Sequence, residues 1–73
     1  MVQNISPHGI GLVLRSKIEP DQIVNIHLSH LGRNFECQVP VRIIYVEPHP
    51  YGSYVVGGVF SRKLTRKEAA GLL

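Results

Sequence analysis

The chain has 73 residues, 44% of them apolar and 18% charged, with a formal net charge of +3. That length allows one small domain, which buries only about 60% of its unfolded surface, and excludes a second. The composition excludes a disordered chain, and the modest charge tolerates an anionic ligand without supplying the dense basic patch of a dedicated nucleic-acid binder.

The segment Asn4-Ile5-Ser6-Pro7-His8-Gly9 opens the chain with turn residues and short polar side chains. It runs straight into the apolar stretch Ile10 to Leu14, read as a strand, and Arg15 to Gln22 is read as a connection around Pro20. From Ile23 to Leu31, Val24, Ile26 and Leu28 alternate with Asn25, His27 and Ser29, the period of a half-buried strand. Gly32-Arg33 then predicts a tight hairpin turn, with Gly32 at positive φ.

From Phe35 to Val46 the odd positions Phe35, Cys37, Val39, Val41, Ile43 and Tyr45 are expected on one side, opposite Glu36, Gln38 and Arg42. Pro40 marks an edge, a bulge or a bend, because it cannot donate to a ladder. The stretch from Glu47 to Gly52 reads as a loop, and Ser53 to Phe60 as the last strand. Gly57-Gly58 within it signals a bulge, a bend or close approach of another backbone.

At the C-terminus the period changes. Thr65 and Glu68 form a capping box, Leu64 and Ala69 are spaced as a hydrophobic staple, and a helix of about two turns is predicted from Arg66. A helix so short needs Leu72 and Leu73 to pack on the sheet or on another molecule. Arg62-Lys63 and Arg66-Lys67 surround the helix start, where the dipole disfavours cations, and read as a solvated face. Four or five antiparallel strands with a terminal helix point to a small all-β barrel or half-barrel.

Cys37 is the only cysteine, so no intrachain disulfide forms; the thiol is expected buried and inert, and the chain cytoplasmic. No apolar run reaches the roughly 20 residues of a membrane span. Catalysis is poorly served. His8, His27, His30 and His49 are scattered, and His27 and His30, three apart on a strand, face opposite sides and cannot share a metal. Ser6 with His8 lacks a group to orient the histidine. The reading is therefore non-enzymatic, with no metal and no cofactor.

Asn4-x-Ser6-x-x-Gly9 resembles the (Asp/Asn)-x-Ser-x-x-Gly signature of PilZ domains, small β-barrels that bind cyclic di-GMP. The order of the rest is similar: a Gly-containing strand at Ile10-Gly11-Leu12, a long hairpin, a strand ending like Gly57-x-x-Phe60, and a short helix. The resemblance implies a single PilZ-like domain over residues 1-73, an incomplete split barrel, with Asn4, Ser6, Gly9 and Gly57 as ligand-binding residues and cyclic di-GMP as ligand. The types suit a guanine nucleotide: Asn4 donates and accepts, Ser6 does either, and glycine admits close backbone approach.

Binding members of the family carry an Arg-x-x-x-Arg segment upstream of this motif, whereas here only Met1, Val2 and Gln3 precede Asn4. Each guanidinium fork lost to phosphate or guanine is worth about 1–3 kcal/mol. The expectation is thus an N-terminally truncated receptor module whose nucleotide binding is weak or lost, the alternative being a PilZ-like protein-interaction module that binds no nucleotide. Arg15, ending the strand after the motif, is the nearest other arginine in sequence. An uncovered sheet edge would invite a homodimer. Protein partners are expected, and nucleic acid is not, since Phe35, Phe60 and three tyrosines alone could stack.

Overall fold

The computed structural model describes residues 2–73. Five antiparallel strands form one sheet: β1 (Val2–Ile5), β2 (Gly9–Leu14), β3 (Ile23–His30), β4 (Phe35–His49) and β5 (Ser53–Phe60), followed by the helix α1 (Arg66–Leu72). Their order is β1-β2-β5-β4-β3, which leaves β1 and β3 as edges. These edges curl towards each other across an open groove of about 390 Å³ lined by Val2, Leu12, Leu14, Ile26 and Leu28. The result is a half-barrel, as the strand count predicts.

Period-two patterning decides what lies inside. Ile10 and Leu12 of β2, Leu28 of β3, Val39, Val41 and Ile43 of β4, and Val56 of β5 form the core. Burial of each such side chain contributes roughly 1.5–3 kcal/mol. The intervening residues Gly9, Gly11 and Val13 of β2, and Val55, Gly57 and Val59 of β5, fall on the outer face. Cys37 is half-buried, and burial, then the Glu68 charge, pushes its thiol pKa up, which favours the protonated thiol.

Several local expectations are corrected. Asn4 and Ile5 belong to a strand, not a turn: β1 pairs with β2 in the register Asn4↔Gly11 and Ile5↔Ile10, so the turn is confined to residues 6–8. The β3–β4 connection is a one-turn 3-10 segment, Leu31–Arg33, and the left-handed residue is Asn34 (φ 49), not Gly32. Asparagine tolerates that region, so glycine is not required.

Tyr45 leaves the expected side of β4 because a bulge between Ile43 and Tyr45 inserts an extra residue and reverses which positions point inward. Val46 then pairs with Val56, and Tyr45 is exposed. Pro40 sits within a central strand rather than at an edge. Its carbonyl accepts from Ser61 N–H at 2.9 Å, and in a strand the N of the same residue faces the same neighbour, here just beyond the end of β5. The missing N–H therefore breaks no ladder bond.

The predicted loop from Glu47 is mostly strand, since Pro48 pairs with Tyr54 and His49 with Ser53. Only a tight turn at Pro50–Gly52 remains, with Tyr51 (φ 67) and Gly52 (φ 75) both left-handed. That conformation costs a non-glycine residue roughly 1–2 kcal/mol.

The helix is held at both ends. Thr65 Oγ1 accepts from Glu68 N–H at 3.1 Å and Glu68 Oε1 accepts from Thr65 N–H at 2.9 Å, which realises the predicted capping box. Arg62 is exposed, as expected, but it is also paired: it grips both Glu68 oxygens, at 2.7 and 2.8 Å, offsetting the helix dipole that disfavours it. Glu68 is 9% exposed, and its carboxyl is held down at about 2 by Arg62 first and the Thr65 N–H second. At the other end Arg33 donates to the Ala70 and Leu73 carbonyls, both at 2.7 Å. Gly71 lies flat on the Phe35 ring, and Leu64 and Leu72 pack against the core, so the helix docks on its own sheet.

Candidate functional site on the outer face

The register sets Asn4 opposite Gly11, Gly11 opposite Gly57, and Gly57 opposite Tyr45. Residues directly opposite in antiparallel strands point to one face, so these four make a row across the outside of the sheet. Its two middle positions carry no side chain. Asn4 leans over Gly11, its Oδ1 lying 2.8 Å from where a Cβ on Gly11 would stand, and the Tyr45 ring covers Gly57. Both glycines are buried beneath these two side chains, so the row presents an amide and a phenol lying flat against the sheet.

Ser6 and Gly9 close the turn beside this row. Ser6 N–H donates to the Gly9 carbonyl at 3.0 Å, and Ser6 Oγ accepts from the His8 and Gly9 N–H groups at 3.4 and 3.3 Å. These last two bonds are long and weak, so the hydroxyl can turn to a ligand at little cost. The turn is tied to β5 by Phe60 N–H donating to His8 O at 3.0 Å. Gly9 itself is needed for space rather than for a left-handed backbone: a Cβ there would stand 2.6 Å from the Gly58 carbonyl oxygen.

The next row runs Gly9, Val59, Arg42 and Ile23. Arg42 therefore lies two strands from Gly9, about 10 Å backbone to backbone, within the span of its long side chain. It is exposed, and its side chain makes no hydrogen bond or ion pair among the described residues. Arg15, the arginine closest to the motif in sequence, lies instead at the opposite end of β2.

All four residues singled out from the sequence thus stand at one end of one face: Asn4 and Gly57 in one row, Ser6 in the turn beside it and Gly9 at the start of β2. Gly11, Tyr45 and Arg42 join them and were not identified as site residues. The Gly11 signal was present in the sequence, but linking it to Gly57 requires the β2–β5 pairing, and aiming Tyr45 outward requires the β4 bulge. The arrangement can accept and donate hydrogen bonds, stack a planar ring and neutralise an anion. Among the described residues no three His, Cys, Asp or Glu side chains stand close enough to hold a metal, and no helix is long and apolar enough to cross a membrane.

The family model that matches this chain is that of the PilZ domain, over residues 1–72. No curated protein and no solved structure matches it.

Proposed function

The chain belongs to the PilZ domain family, and from that membership we propose that it is a cyclic di-GMP receptor module whose ligand lies on the outer face over Gly11 and Gly57. The observation that carries this reading is the row in which Asn4 and Tyr45 lie flat over Gly11 and Gly57, flanked by the Ser6 hydroxyl and Arg42. The glycines let the Tyr45 ring and the Asn4 amide lie flat, so a guanine base gains an aromatic partner in the exposed side of Tyr45, while Asn4 and Ser6 supply directional hydrogen bonds. Arg42 neutralises a phosphate, the part an Arg-x-x-x-Arg segment plays in the family.

Isothermal titration with cyclic di-GMP tests this. Saturable heat is expected from the 73-residue chain, reduced at least tenfold in affinity, about 1.4 kcal/mol, by Asn4→Ala, Ser6→Ala or Arg42→Ala. Joining an Arg-x-x-x-Arg segment ahead of Met1 is expected to tighten binding further. Absence of heat from both chains would sink the reading.

A second reading, a protein-interaction module, is favoured by the exposure of Ile23, Ile44 and Tyr45 and by the free edges β1 and β3. An unpaired edge is a template for another strand, and a second copy of this chain is the simplest donor. Sedimentation equilibrium is expected to show a dimer at high concentration; a monomer throughout would remove that form of it.

A further inference from the structure

The end of β2 and the β4–β5 hairpin border a second, open hollow of about 540 Å³, lined among others by Val13, Leu14, Arg15, His49, Tyr51 and Ser53. It lies at the far end of β2 from Gly9, about 17 Å along the strand, and so is separate from the Asn4–Gly9 site. We propose that this hollow binds a small phosphate monoester carrying a planar ring, with the phosphate on Arg15 and His49 and the ring against Tyr51. The proposal does not rest on the cyclic di-GMP reading.

The volume falls within the roughly 300–1,000 Å³ usual for small-ligand sites. Arg15 makes no hydrogen bond or ion pair among the described residues, so its planar fork of donors is unspent. No carboxylate lines the hollow to compete for it. His49 is oriented by its neighbour. Ser53 Oγ donates to the Pro50 carbonyl at 3.1 Å, so across the 3.1 Å contact between His49 Nδ1 and Ser53 Oγ the ring must be the donor. The proton of the neutral imidazole is therefore on Nδ1, and Nε2 remains for a ligand. As an acceptor, Nε2 can take the hydrogen of the P–OH group of a singly ionised phosphate monoester.

Tyr51 is the third element. It stands fully exposed at the hairpin tip, in a left-handed conformation (φ 67, ψ 33) ahead of Gly52 (φ 75). Two successive left-handed residues in a hairpin turn favour Asn-Gly or Gly-Gly. A tyrosine there is a poor choice for the turn and a good one for presenting a ring, beside the apolar floor of Val13 and Leu14.

The test is a titration of the isotopically labelled chain followed by amide chemical shifts, with guanosine 5′-monophosphate, phenyl phosphate and inorganic phosphate as probes. Saturable shifts are expected at Arg15, His49, Tyr51 and Ser53, with both ring-bearing probes tighter than inorganic phosphate. Arg15→Ala is expected to weaken them at least tenfold. Tyr51→Asn is expected to weaken the ring-bearing probes while raising the thermal midpoint, a combination that a purely structural tyrosine would not give. Shifts that do not saturate, shifts confined to Asn4, Ser6 and Gly9, or equal affinity for all three probes would each overturn the proposal.

Discussion

Glu68→Ala is expected to lower the thermal unfolding midpoint by roughly 10–20 °C, since it removes a cap and a charged hydrogen-bond pair from a domain this small. Glu68 alone joins three things: the Thr65 N–H at the helix start, the Arg62 guanidinium, and the first turn of α1, where its negative charge also suits the dipole. Without it Arg62 faces the helix N-terminus unpaired. A seven-residue helix has little stability of its own, so its docking on Phe35 is expected to fail with it. Glu68→Gln, which can still accept from Thr65, should lie between alanine and the native chain.

The same carboxylate makes a pH prediction. Its folded pKa is lowered, to about 2 from an ordinary value of 4.5, so the unfolded chain binds this proton more readily than the folded one. The stability it supplies is therefore fully present above about pH 4.5 and is lost as pH falls towards 2. Subtracting the Glu68→Gln unfolding profile from the native one should isolate that acid limb. Equal midpoints for the native chain and Glu68→Ala at neutral pH would remove the anchoring role.

The second large effect separates glycines that look alike in the sequence. Gly9→Ala and Gly58→Ala are each expected to cost about 2–3 kcal/mol, the upper range for forcing a methyl into a packed site. At Gly9 the new Cβ meets the Gly58 carbonyl oxygen at 2.6 Å, and that oxygen cannot move without disturbing the β2–β5 pairing. At Gly58 it meets Val41, which is fully buried, and the Arg42 carbonyl at 2.8 Å. At Gly57 the atoms nearest a new Cβ belong to the Tyr45 side chain, 46% exposed and able to swing outward, so the cost of Gly57→Ala in stability is expected below about 1 kcal/mol. Its effect should appear in cyclic di-GMP affinity instead, because the methyl fills the floor of the outer-face row. Denaturant unfolding of the three variants checks the order, and a Gly57→Ala chain as unstable as Gly9→Ala would refute it.

The strand at Ile23, the terminal capping box and the barrel class were legible because each rests on contacts close in sequence or on strict alternation. Alternation fails where pairing partners intervene. Tyr45 follows Phe35 to Ile43 in phase, and nothing local announces the bulge that turns it outward. Arg62 looks solvated in the sequence because Glu68, six residues away, reaches it only once the chain has turned into the helix. Arg33 shows the limit most plainly: its partners, the Ala70 and Leu73 carbonyls, lie 37 and 40 residues along the chain.

What the sequence determined by itself is the kind of residues at the proposed outer-face site, Asn4, Ser6 and Gly9, and the half-barrel that displays them. Hydrophobic period and turn chemistry are local properties, readable from neighbours alone. Which other residues join them was decided by strand order. Placing β5 between β2 and β4 sets Gly57 beside Gly11, brings Tyr45 over it and carries Arg42 to within two strands of Gly9. Strand order follows from burying one continuous core across all five strands, a requirement of the whole chain that no single segment encodes.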